Sequence, residues 1–133
     1  MDPGIAGRFA GVIRVAQRYF DDVEYSATLT PERDNLKLRA RFGRLRISVR
    51  EMFSDERRKY SYYALDGKQV VVGFDNSPDP EAIRLKYGRI GPETAGIQVP
   101  HIHTNDKADL QLTDEIDILT FINWLKANTP HAP

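Results

Sequence analysis

The chain contains no cysteine, so no disulfide framework braces it and no thiolate can serve as nucleophile or metal ligand. That usage fits a reducing cytoplasm. No apolar run approaches the roughly 18 residues of a membrane-spanning helix, and the N-terminus lacks a signal peptide's continuous apolar stretch. Net charge is missing too, since 19 Lys and Arg balance 19 Asp and Glu. What remains is ordinary for a globular protein. With 133 residues, 41% hydrophobic and 29% charged, the composition predicts a single domain over residues 1–133.

The zero balance hides an uneven distribution. Residues 37–68 carry ten Lys or Arg against four acids, a local balance of +6. Residues 102–133 carry five acids against two Lys, a balance of −3. A basic middle in a neutral chain predicts a directed positive surface.

Residues 5–20 read as an amphipathic helix, with Ile5, Phe9, Val12, Ile13, Ala16 and Phe20 on one stripe. The period then changes. Strands are expected at Glu24–Thr30, Leu36–Phe42, Leu45–Phe53, Arg57–Leu65 and Lys68–Phe74, with Asp66-Gly67 as the clearest hairpin signal. Residues 76–107 read as a long loop, in which Ile83–Tyr87 is a short strand or a helical turn. Thr113-Asp114-Glu115 predicts the start of a final helix over 114–127, apolar nearly all round and ending before Pro130. The expected fold is α+β: an antiparallel meander of about five strands, with an N-terminal and a C-terminal helix packed on one face.

The second and third strands alternate cleanly. Leu36, Leu38, Ala40 and Phe42 take one side and Lys37, Arg39 and Arg41 the other; Leu45, Ile47 and Val49 oppose Arg44, Arg46, Ser48 and Arg50. Pairing these strands would gather Lys37, Arg39, Arg41, Arg44, Arg46 and Arg50 on one solvent face. Like charges opposite one another destabilise a sheet. The run therefore reads either as a plain solvated face or as a phosphate-binding surface for nucleic acid. Lys59, Tyr60, Tyr62 and Tyr63 continue the pattern on the next strand, where rings could stack bases.

His101 and His103 stand one residue apart, so an extended backbone points both imidazoles to the same side. Three roles suit such a pair. They could be structural, satisfied by nearby backbone. They could ligate a metal, with Asp75, Asp79, Asp106 and Asp109 as unordered partners. Or they could cut RNA without metal or cofactor, one as base on the 2′-hydroxyl and the other as acid on the leaving oxygen, beside a stabilising cation. Gly88-Arg89-Ile90-Gly91 is too short for a phosphate loop, which disfavours nucleotide transfer.

The order Lys59-Tyr60-Ser61-Tyr62, Asp75-Asn76-Ser77-Pro78 and Pro100-His101-Ile102-His103 before a C-terminal helix resembles the TumE-type toxins of toxin–antitoxin pairs. The resemblance runs from about Leu36 to Trp124. Here Asp79-Pro80 follows Pro78 where the family has histidines, and Ile102 replaces a further histidine. The resemblance implies a toxic activity on RNA and a cognate antitoxin of the helix-turn-helix type; the cysteine-free composition without a membrane-length apolar run predicts a cytoplasmic setting without membrane contact, and a homodimer is compatible with both. Combined with the residue chemistry, it assigns His101 and His103 as the acid–base pair. Lys59 and Arg46 become phosphate stabilisers, Tyr60 or Tyr62 positioning groups, and Asp75 and Asn76 a structural turn beside the site. No metal is required on that reading.

Overall fold

The computed structural model of the chain describes residues 3–55 and 57–129. The elements run α1 (Pro3–Tyr19), β1 (Asp21–Leu29), β2 (Asp34–Phe42), β3 (Leu45–Ser54), β4 (Arg57–Asp66), β5 (Gln69–Asp75), α2 (Pro80–Tyr87), β6 (His101–Thr104), β7 (Asp109–Leu112) and α3 (Ile118–Asn128). The strands form one sheet in the order β1-β2-β3-β4-β5-β6-β7, every neighbouring pair antiparallel. The α+β meander is as the sequence predicts, with seven strands in place of five. No helix is long and apolar enough to cross a membrane among the described residues.

Both additional strands come from the segment expected to be a loop over 76–107 and just beyond it. Each has only four residues, too few for period-two alternation to declare itself. Their connection contains no glycine: Asn105, Asp106 and Lys107 take positive φ of 54°, 53° and 67°. The turn is pinned from outside, because Asp106 accepts from the Val70 amide through Oδ1 at 3.0 Å and donates its own amide to the Val70 carbonyl at 3.0 Å. Gly67, with φ of 60°, occupies the first position of the two-residue β4–β5 loop, where a type II′ hairpin calls for glycine.

One face of the sheet is covered by α1 and α3. Phe9, Val12 and Ala16 of α1 and Phe121, Ile122 and Leu125 of α3 are buried with the inward side chains of β2–β5. The final helix starts four residues later than expected, with Asp117 as N-cap accepting from the Thr120 amide at 3.1 Å. Arg58 explains the delay. Its Nη1 donates to the Ile116 carbonyl at 2.8 Å and to Glu115 at 2.9 Å, which holds 115–116 out of the helix. Pro130, expected to stop this helix, lies outside the described residues. The all-round apolar pattern resolves into a buried stripe plus Leu119 facing solvent.

Arg58 belongs to a buried polar knot on this covered face. Glu51 is 0% exposed and receives Arg8 Nε at 2.9 Å, Arg58 Nη2 at 3.4 Å and a hydrogen bond from the Tyr62 hydroxyl. The Arg58 guanidinium also lies 4.3 Å from the centre of the Tyr60 ring. Burial, then the neighbouring Glu51 charge, pushes the Tyr62 hydroxyl pKa well above its ordinary value, so it stays a donor. A buried charge is tolerated only when paired, and removing one partner strands the rest. Glu51→Ala is therefore expected to lower unfolding free energy by about 3–5 kcal/mol in urea denaturation. Glu24→Ala, removing the exposed partner of Arg39, should change it by less than about 1 kcal/mol.

Candidate functional site

Residues directly opposite one another in an antiparallel sheet share a face, so the register maps the second face of the sheet. One cross-strand row reads Lys37, Arg50, Ser61, Asp75, His101. The next reads Arg39, Ser48, Tyr63, Gly73, His103. A third begins Arg41, Arg46, Leu65. The cations and both histidines thus occupy the same face, opposite α1 and α3.

They occupy different ends of it. At about 4.8 Å per strand, β2 and β6 lie roughly 19 Å apart, so Lys37 and His101 cannot contact one phosphate. The β1–β3 end is open. A groove of about 550 Å³ runs over Lys37, Arg39, Ser48 and Arg50, with Glu24 at its edge. Arg41 faces Arg46, and Lys37 faces Arg50, each a like-charge pair in direct register. Lys37, Arg41 and Arg50 have no ion-pair partner among the described residues. Arg39 has an exposed one, Glu24 at 3.6 Å. Arg44 differs from the sequence expectation: it sits in the β2–β3 turn, off the face, and pairs with Asp66 at 2.9 Å. Arg46 donates to the Gly67 carbonyl at 2.8 Å, three strands from the histidines, and so belongs to the cationic platform and not to their site.

The β5–β7 end is closed by α2. Ala82 and Ile83 of α2 form a small second core with Val99, against which Ile97 and Leu110 pack. The helix begins at Pro78-Asp79-Pro80. Asp79 is its N-cap, accepting from the Glu81 and Ala82 amides at 2.9 and 3.2 Å through Oδ1. The other oxygen, Oδ2, lies 3.9 Å from His103 Nε2. His101 is 1% exposed and His103 8%. Their rings meet edge to face, centres 4.7 Å apart. His101 Nδ1 lies 2.6 Å from the Val99 carbonyl, which can only accept, so Nδ1 donates this hydrogen bond and Nε2 makes none. His103 has no hydrogen-bond partner for its buried Nδ1. Burial, then the neighbouring His101 and Lys107, holds the His103 pKa below its ordinary value, against the upward pull of Asp79 and Asp75.

Asp75 and Asn76 form the turn expected of them. Asp75 Oδ1 accepts from the Ser77 amide at 2.6 Å, while Oδ2 accepts from the Tyr63 hydroxyl at 3.1 Å. The Asn76 side chain continues the ladder past the end of β5, accepting from the Tyr60 amide at 2.9 Å and donating to the Arg58 carbonyl at 2.8 Å. Lys59 is on the open face and exposed, in a depression shared with Arg57 and Gln98. Tyr60 and Tyr62 are not at the site. They are 1% and 0% exposed on the opposite face, where the Tyr62 ring stacks on Phe121 at 5.7 Å. Strand alternation dictates this once Lys59 faces out.

Tyr63 takes the place expected of Tyr60 or Tyr62. Its ring lies across Gly73, where an added Cβ would come within 2.1 Å of Cε1. Glycine is what lets the ring reach Asp75 in the row beside His103. The sequence offered Asp79 only as one of four unordered acids and Tyr63 only as a ring that could stack bases. The signal for Asp79 that the sequence reading did not use is its place before Pro80, the pattern of a helix N-cap; Tyr63 had only its alternation with Lys59.

Gly73→Ala should therefore displace the Tyr63 ring and lower stability by about 1–3 kcal/mol in thermal or urea unfolding. With Tyr63→Ala in the background, the same glycine change should lose most of that effect, giving a strongly non-additive double-mutant cycle.

Comparison with protein-family models, curated proteins and solved structures finds no match for this chain, so its function is argued from these two ends of one sheet face.

Proposed function

We propose that this protein acts on RNA as the toxin of a toxin–antitoxin pair, holding the RNA backbone on the open sheet face and cutting it at the Asp79–His101–His103 corner. The observation that carries the binding half is the like-charge register. Arg41 opposite Arg46 and Lys37 opposite Arg50 weaken the free sheet, and a polyanion laid across them relieves that repulsion. A surface serving only for solubility would intersperse the two signs. Toxin identity and an antitoxin partner rest on the resemblance of the Lys59–Tyr62, Asp75–Pro78 and Pro100–His103 motifs, and the cytoplasmic setting on the cysteine-free composition.

The cutting half draws on the site's geometry. His101 Nε2 makes no hydrogen bond and His103 lies beside it, both on the face that carries the cations, at its opposite end. Lys59 and Arg57 lie on the same face at the start of β4, beyond the row that joins Arg50 to His101, where they could hold a phosphate outside the cut. Both imidazoles are buried under α2, which disfavours the simplest acid–base scheme, where each ring touches one oxygen of the same phosphodiester.

Two measurements test this. Replacing Lys37, Arg41 and Arg50 together by Gln should weaken single-stranded RNA binding and reduce the slope of log affinity against log salt by roughly 0.7 per cation removed. An unchanged slope would end the platform reading. His101→Ala and His103→Ala should retain binding while losing RNA cleavage and growth inhibition by about 100-fold or more. Variants that remain as toxic and as cleaving as the parent would leave a non-catalytic binder with structural histidines.

A further inference from the structure

We infer that His101, His103 and Asp79 bind one divalent transition-metal ion, with a coordination position left open for water. The sequence expectation was a metal-free pair. The structure adds the carboxylate and orders it. One ligand atom from each of the three residues lies within 4.8 Å of the other two, the one such group of His, Asp and Glu among the described residues. A tetrahedral ion with bonds of 2.0–2.1 Å places its ligands roughly 3.4 Å apart, a contraction that side-chain rotation can supply.

Four features of the corner point to an ion. First, His101 donates Nδ1–H to a backbone carbonyl, the arrangement that orients a metal-bound imidazole and raises its basicity at Nε2. Second, Asp79 is held in the same way, with Oδ1 engaged by two helix amides and Oδ2 turned to the histidines. Third, the His103 side chain is nine-tenths buried and makes no hydrogen bond through either ring nitrogen: Nδ1 has no partner, and Nε2 faces Asp79 at 3.9 Å, which leaves a ring nitrogen uncommitted for an ion. Fourth, the anchors are stiff, since His-x-His is on a paired strand and Asp79 sits between two prolines at a helix start.

The donor set selects the class of ion. Two imidazoles and one carboxylate suit zinc, iron, cobalt or nickel, and not magnesium or calcium, which take oxygen ligands. Three protein ligands are the number found at reactive metal sites, where the remaining position holds a water that the ion acidifies. Any use of that water on RNA rests on the function proposed above; the binding itself does not.

The test is titration of tag-free, metal-stripped protein with Co²⁺, followed by visible absorption, and with Zn²⁺ by calorimetry. One equivalent of each is expected, with Zn²⁺ displacing Co²⁺. Asp79→Asn keeps an N-cap side chain and so keeps α2; it should weaken binding by about 10-fold or more, and His101→Ala or His103→Ala by about 100-fold. Circular dichroism of each variant separates ligand loss from unfolding. No saturable uptake, or uptake unchanged in Asp79→Asn and in a folded histidine variant, overturns the inference. RNA binding and cleavage are measured on the same samples. Metal uptake without either supports the metal site and removes only the RNA reading. RNA cleavage by protein that takes up no metal overturns the metal site and leaves the RNA reading standing.

Discussion

Strand register is the constraint on which every other feature depends. Because side chains alternate, a slip of one residue between β3 and β4 would turn Lys59, Ser61 and Tyr63 into the core and expose Tyr60 and Tyr62. The inward rows of β3 and β4 prevent that slip: Ile47, Val49, Tyr60, Tyr62 and Ala64 have to lie under α1 and α3. Burial of one face therefore fixes the chemistry of the other. The Arg8–Glu51–Arg58–Tyr62 knot reinforces the same choice, since Glu51 and Tyr62 find their partners only in this register.

The two sides of the sheet are covered unequally. On the first, α1 and α3 bury the inward residues of β2–β5. On the second, α2 reaches only the β5–β7 end, where its small core of Ala82, Ile83 and Val99 lies against Leu110. The uncovered part is where the cations are, and the covered part is where the imidazoles are. A polyanion needs breadth and solvent access. A reactive or metal-binding corner needs restricted water and fixed geometry. The two ends of this face are separated by β4, whose outward side chains are Lys59, Ser61 and Tyr63.

Much of this was legible in the sequence, and the reasons are physical. The long strands declared themselves because nine or ten alternating residues leave little doubt of period, and Asp66-Gly67 marks its turn by backbone need. The shared direction of His101 and His103 followed from spacing alone. The strands β6 and β7 did not show, because four residues are too few to establish a period and β6 carries histidines where an apolar residue would mark a strand. Tyr60 and Tyr62 were misassigned because a tyrosine in a strand reads the same whether it faces a core or a ligand. Asp79 was visible only as one of several acids: its nearness to His103 depends on how α2 folds back over the sheet, which no local pattern specifies.

The strand order has a kinetic side. Each strand pairs with the one that precedes it in the chain, so the seven-stranded sheet assembles from hairpins and needs no distant crossover. Such a topology keeps sequence separation between contacts short, and short separations speed folding relative to Greek-key sheets of similar size. The exceptions are β5–β6, whose connection carries α2, and the two end helices, which meet each other and are joined through Arg8, Glu51, Arg58 and Glu115. The cationic hairpin of β2 and β3 therefore rests on local contacts, whereas closure of the core joins the two ends of the chain.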